Sequence, residues 1–498
     1  MKEYGFLFGA GAERAYGMPD GGHFALDLFR QDTSEIKQKF KEMVRNVNGT
    51  TPYAGDWLPD KFKTRNVSTF GRSFFQNIIA DTVEHRRNEI IERINRFDET
   101  AQNSVTEMKE QGKDVDESFR TILQRPPDAV KLNGAIGYNK VFEAGDQLFA
   151  SKYFSSLLIF YGHVSDRSRK TRLRAVLCSV MQLHLGALSM GLAQEINDSP
   201  LSVSDDSDDI KRVDFFDDFS DFLKLNVSAS GVIGLELLLE PIEEGTDAVG
   251  IILEFAQRVM EDLYASVLDY KSLIDSYWHY LYCPSTDWAK FCRIAIFLLT
   301  VRKYISDKAV LSIPAGVSGH YHMLKKALDD GLFSAPTIAT TNYCSLIETV
   351  LSRNDISYLN GSVSTWYDPY LNKSGAETDL RTWENHILVP LLFTQSGTKP
   401  MTAIRMSCLY ADLYRSWKKA EAVVVVGFGF NPDDEHINNI LRTLINDDGK
   451  KLVIVKPKGK TDEVAIRKRL KLGNSELLEF LFVDNDGKVD GRPWPEYL

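Results

Sequence analysis

The chain has 498 residues, 43% of them apolar and 26% charged, with a formal net charge of −10. That length predicts two domains, or one domain carrying a large insertion, and the ordinary apolar content predicts a globular core. The acidic balance argues against a general electrostatic grip on nucleic acid. Five scattered cysteines (Cys178, Cys283, Cys292, Cys344 and Cys408) with no C-x-x-C pair support neither a disulfide framework nor a zinc ribbon.

In chain order, the first element is "YGFLF", Tyr4–Phe8, a short apolar run that breaks at Gly9 as a buried strand does. Acidic Glu3 and the lack of a basic region before a long apolar stretch do not read as a signal peptide, so a reducing cytoplasm is the expected location. The next stretch, "GAGAERAYGMPDGG", opens with Gly9 and Gly11, which allow a tight turn and a close backbone approach. From about residue 75 to 330 the texture is helical. "FFQNIIADTVEHRRNEIIERINRF" and "EFAQRVMEDLYASVLDYKSLIDSYWHYLY" carry apolar residues at three- and four-residue spacing. The uncharged run Ala175–Ala193 is long enough to span a bilayer. Its Gln182, His184, serines and glycines favour a buried core helix instead, with His184 a core histidine. Asp205–Phe222, "DDSDDIKRVDFFDDFSDF", reads as an acidic linker continuing into an acidic, Phe-bearing helix.

After about residue 330, short β-branched runs alternate with helices. "PTIATT" (336–341), "ISYL" (356–359), "ILVPLLF" (387–393), "VVVV" (423–426), "LVIV" (452–455) and "LEFLFV" (478–483) are the apolar runs. "MTAIRMSCLYADLYRSWKKA" and the segment after Phe430 have helical periodicity. Asn431 is positioned to cap the latter helix, with Pro432 at its first position. This alternation predicts βαβ units and a mainly parallel, doubly wound α/β sheet. The first strand then belongs with the last third of the chain. The expected domains are a discontinuous α/β domain over 1–75 and 331–498, and a helical insertion over 76–330.

Taken alone, the glycine turn is weak evidence for a dinucleotide, because Arg14 stands where G-x-G-x-x-G needs its third glycine. The wider spacing is more specific. Gly9-Ala10-Gly11 followed by Gly17-Met18-Pro19-Asp20 resembles the sirtuin opening motif G-A-G-x-S-x-x-x-G-I-P-D. "ATTNYCSLIE" (339–348) looks like the strand-end segment that carries the family's asparagine, here Asn342. "YLNGS" (358–362) looks like the leucine-histidine-glycine segment, and "VVVVGFGFNPDDEHI" (423–437) like the later glycine turn in the form found in sirtuin-like bacterial defence proteins.

The resemblance implies a Rossmann-like NAD-binding domain that hydrolyses NAD+, its substrate, to nicotinamide and ADP-ribose without a metal. It implies phosphate contacts at Gly9, Ala10 and Gly11, further cofactor contacts at Pro19, Asp20, Gly427 and Phe428, and catalytic positions at Asn342 and Asn360. It further implies NAD+ depletion in antiphage defence, held in check within a homo-oligomer or a hetero-complex with a defence partner. The helical insertion and the acidic segment are the candidate docking surfaces, and neither a membrane nor general nucleic acid is an expected partner.

Three departures qualify these expectations. The four-cysteine zinc module of the deacetylases is absent, against a lysine deacylase. Glu13 replaces the motif serine, and Cys344 replaces an aspartate that helps recognise nicotinamide. Position 360 is Asn, which accepts no proton at neutral pH and so is no general base. Three readings stay open: an inactivating replacement of the histidine, another base such as His436, or a sensor that binds NAD or ADP-ribose without turnover. A hydride-transferring Rossmann enzyme fits less well, since no acidic residue for the ribose follows a matching second strand.

The same residues have plainer readings. Asn342 can simply end a strand, and Asn360-Gly361 is a common hairpin turn. His320 and His322, two apart on a helix, diverge and make a poor metal pair. The basic stretch Lys456–Lys471 reads as a solvated helix face, with Lys456 a candidate contact to phosphate or adenine.

Overall fold

The computed structural model describes residues 2–18, 21–71, 74, 86–130, 148–187, 235–267, 270–311, 318–392, 403–458, 463–472, 476–484 and 486–498. Pro19, Asp20 and the acidic segment 205–222 lie outside the described residues. The chain divides into two compact units: Met1–Asp20 with Gln31–Thr69 and Lys271–Leu498, and Gly21–Arg30 with Phe70–Tyr270. Residues 271–330, expected within the insertion, thus cluster with the sheet. The helix Trp288–Leu311 accounts for much of this: Arg302 Nε donates to Val363 O at 2.7 Å, and its guanidinium lies over the Trp366 ring.

The first unit is built on a six-stranded sheet. Its members are β1 (Glu3–Phe8), β2 (Ser334–Thr340), β3 (Ser357–Tyr358), β7 (Ala422–Val426), β8 (Lys451–Pro457) and β9 (Leu478–Val483). They lie in the order β3-β2-β1-β7-β8-β9, and every pairing is parallel. β1 and β7 are buried along nearly their whole length, as a parallel sheet covered on both faces requires, which explains continuous runs such as "VVVV". Phe8 pairs in register with both Thr340 and Val426. The residues after these three strands therefore meet at one carboxyl edge. The strand order also reverses there, between β1 and β7, which is where open α/β sheets take their ligands.

"ILVPLLF" departs from the parallel expectation. It forms β6 (Val389–Leu392), which pairs antiparallel with β4 (Gly361–Asp368) in a separate sheet of order β5-β4-β6, where β5 is Lys373–Gly375. Pro390 has no N–H for a second ladder, so the run suits an edge strand. Asn431 is also a partial correction. It precedes a single 3-10 turn, Pro432–Asp434, before the helix Glu435–Asn446, and its side chain makes no capping bond. Its carbonyl accepts from Asp434 N and from Asn438 Nδ2.

The second unit is helical throughout its described residues. Its long helix Ala248–Val267 packs against Gly21–Arg30, Phe97–Glu110, Val115–Leu123 and Arg167–Ala187. Phe119, Phe160 and Phe255 meet edge to face in its core. Arg167–Ala187 holds the described part of the uncharged run; its His184 is fully buried, and burial drives its pKa down to about 3, which keeps it neutral. Among the described residues no helix is long and apolar enough to cross a membrane.

Candidate functional site

The glycine turn after β1 and the turn after β7 are packed backbone to backbone. Gly9 N donates to Val426 O and Gly11 N to Gly427 O, both at 2.9 Å. A Cβ on Gly9 would lie 2.7 Å from Phe428 Cα, and one on Gly427 would lie 2.2 Å from Ala12 N. Gly427 is also left-handed, with φ of +66°. These glycines are therefore explained first by the approach of one turn to the other. The amide bonds spend the Gly9 and Gly11 donors within the protein. Ala10 N, exposed at the start of the 3-10 helix Ala10–Tyr16, has no acceptor among the described residues.

Asn342 joins this edge from β2. Its Nδ2 donates to Gly9 O and to the Tyr321 hydroxyl, each at 3.1 Å. A backbone carbonyl only accepts, so the atom facing Gly9 must be the amide nitrogen. Both amide hydrogens are turned inward, and Oδ1 is the atom left for a ligand.

Sequence reasoning flagged Glu13 only as a departure, yet it is the ionisable centre of the cluster. Tyr321 OH donates to Glu13 Oε1 at 2.8 Å and Cys344 Sγ to the same oxygen at 3.1 Å. The two residues that break the motif are thus in contact. Burial pushes the Glu13 pKa up from 4.5 to about 7, while hydrogen bonds from Cys344, Tyr321 and Asn342 pull it back. Burial, and then the Glu13 charge, raise Cys344 well above the usual thiol range, so it is a thiol at neutral pH. Tyr16 extends the cluster: its hydroxyl lies 3.0 Å from His322 Nδ1, which gives His322 a partner in the protein.

The unfolded Glu13 carboxyl loses its proton near 4.5 and the folded one near 7, so the unfolded state binds fewer protons in that window. Stability contributed by residue 13 should fall as pH rises from about 4.5 to 7, by on the order of 3 kcal/mol. Denaturation midpoints of the wild type and Glu13→Gln across this window measure it, since the amide cannot titrate. Equal pH dependence in both would contradict it.

Asn360 sits two residues into the segment after β3. Leu359 N donates to Thr340 O, and Gly361, at φ +80°, would place a Cβ 1.8 Å from Leu391 O. The turn is therefore fixed on both sides. Asn360 Nδ2 reaches Thr341 O only at 3.5 Å, and its buried Oδ1 finds no partner among the described residues. His436, the alternative base, packs edge-on to Tyr410 at 5.3 Å, and the Tyr410 hydroxyl donates to Leu359 O.

Cations gather on the other flank of the edge. Lys456 Nζ donates to Phe428 O, and Arg469 donates to Gly429 O at 3.3 Å. Burial, then the charges of Arg14 and Arg469, lower the Lys456 pKa to about 8. Two of the mutually repelling cations thus hold carbonyls of one turn, an arrangement that an anion would relieve. Among the described residues no group of three or more His, Cys, Asp or Glu forms a metal cluster.

A cleft of about 520 Å³ opens instead at the amino ends of β1 and β2, lined by Glu3, Lys325, Phe333, Ser334 and Arg353. Arg353 there is already paired with Asp355 and bonded to Ala335 O. The convergent polar groups lie at the carboxyl edge.

No family model and no curated protein matches the chain. It is similar to a solved structure described as the structural basis for the mechanism and regulation of Sir2 enzymes, at 14% identity and a TM-score of 0.23. The alignment covers 34% of this chain and 64% of that one, so the chain spans less than two thirds of that structure. A likeness of that depth leaves the fold to its strand order and the site to its geometry.

Proposed function

We propose that the carboxyl-edge crevice binds NAD+ and that the chain is an NAD+ hydrolase on a sirtuin-like, doubly wound domain. The supporting observation is the union of the two glycine turns and Asn342 at the point where the strand order reverses. In this reading Ala10 and the turn from Gly9 to Gly11 face the pyrophosphate. Gly427 and Phe428 form the opposite wall, and Lys456 supplies positive charge. Asn342 Oδ1 accepts from a ribose hydroxyl or from the attacking water. Water adds to the ribose as the glycosidic bond breaks, giving nicotinamide, ADP-ribose and one proton. The transition state carries oxocarbenium character, so acceptors held rigidly near the ribose lower its energy.

Incubation of the purified chain with NAD+, followed by chromatography for nicotinamide and ADP-ribose, tests the activity. Asn342→Ala should lower the rate by at least about 100-fold, and an unchanged rate would remove Asn342 from the site. A second reading, a sensor that binds without turnover, is favoured by the uncharged, poorly bonded Asn360. Calorimetric NAD+ binding without product, from both the wild type and Asn360→His, would select it.

The finer role follows the resemblance alone: NAD+ depletion on phage infection, held in check by self-association or a defence partner. NAD+ levels in infected cells with and without the chain test the first part. Light scattering and pull-down test the second.

A further inference from the structure

We infer that Glu13 is the positioning residue of the crevice, holding the Asn342 amide with Oδ1 outward through Tyr321, so that the charge on residue 13 is read by the group Asn342 binds. The ligand named here rests on the NAD+ reading; the relay itself does not.

Donors and acceptors pair one to one along the relay from Glu13 through Tyr321 and Asn342 to Gly9. Tyr321 has one hydroxyl hydrogen, and it goes to Glu13 Oε1 at 2.8 Å. Its lone pair then faces Asn342 Nδ2 at 3.1 Å. The second hydrogen of that amide goes to Gly9 O. A carboxylate at 13 accepts from Tyr321 through a charge-assisted bond, and such bonds are roughly twice as strong as neutral ones. Protonated, residue 13 acquires a hydrogen of its own in a space already filled by donors. The Tyr321 hydrogen and the Asn342 amide must then compete or turn. Glu13 itself is buried and reaches the crevice only through its neighbours, which makes it a positioning residue.

Its surroundings set the window in which this occurs. Tyr16 lies on its own 3-10 helix with His322 beyond, Tyr321 on the helix His320–Asp329, Cys344 after β2 and Tyr358 on β3. The groups that hydrogen-bond to Glu13 are neutral donors, so burial outweighs them and the proton is exchanged near neutrality.

The test is a pH titration of the Asn342 side-chain amide signal in full-length protein labelled with 15N-asparagine, assigned by its loss in Asn342→Asp. Between about pH 5 and pH 9 the wild-type signal should move with one midpoint near neutrality and stay fixed in Glu13→Gln. Tyr321→Phe, which keeps the carboxylate, should cut the amplitude at least about twofold. A motionless wild-type signal, a midpoint that survives in Glu13→Gln, or full amplitude in Tyr321→Phe would overturn the inference. NAD+ affinity by calorimetry should change at least about fivefold across the same range in the wild type and not in Glu13→Gln. Absence of NAD+ binding to the wild type would instead sink the NAD+ reading, and the amide titration would still decide the relay.

Discussion

Asn360→His is expected to raise the rate of nicotinamide release from NAD+ by about 10²- to 10⁴-fold, the usual contribution of a positioned general base. The backbone is pinned by Leu359 N to Thr340 O on one side and by left-handed Gly361 against Leu391 O on the other. The present side chain forms one long bond, and its buried oxygen has no partner among the described residues. An amide lacks a basic site at neutral pH, whereas an imidazole titrates near it. The gain should be read under saturating NAD+, so that a change in turnover is not mistaken for a change in binding. A folded Asn360→His that binds NAD+ and still releases nicotinamide only at a measurable wild-type rate would mean that the base belongs elsewhere. His436 would be the next residue to replace.

Gly427→Ala should be strongly destabilising, costing on the order of 4 kcal/mol. A left-handed alanine alone costs about 1–2 kcal/mol. Forcing an atom to within 2.2 Å of Ala12 N adds the cost of overpacking, about 1–3 kcal/mol. Gly449→Ala is the control: it shares the left-handed backbone at φ +63°, but no atom lies within 4 Å of its Cβ. The difference between the two isolates the close approach of the turns. All seven tryptophans, at 57, 278, 288, 366, 383, 417 and 494, lie within the sheet unit. Intrinsic fluorescence during urea unfolding therefore reports on that unit. Equal midpoints for the two variants would show that the turns give way without cost.

Much of the sheet was legible because buried parallel strands are short, continuous and β-branched, and "YGFLF", "VVVV" and "LVIV" have no other comfortable state. "ILVPLLF" shared that texture and was misplaced, although Pro390 carried the signal for an edge strand. The unit boundary was harder to read, because Trp288–Leu311 is a helix by periodicity and its ties to the smaller sheet, through Arg302 to Val363 and Trp366, are long-range. At the site, the glycines were readable as a turn. That they meet another turn depends on Gly427, hundreds of residues away, and no local pattern announces it. Glu13 was visible only as an irregularity. Its raised pKa comes from burial, which outweighs the hydrogen bonds from Cys344, Tyr321 and Asn342, and only the packed chain reveals that burial.

On the proposed function, the first glycine turn, Asn342 and the Gly427 turn form one NAD+ site. Hydrogen exchange read by mass spectrometry, with and without saturating NAD+, locates that site without requiring turnover. Peptides covering residues 6–16, 339–345 and 424–430 should slow together on NAD+ addition, and Asn342→Ala should weaken all three effects. Protection confined to the helical unit, or unchanged exchange in these peptides while NAD+ is bound, would contradict the account.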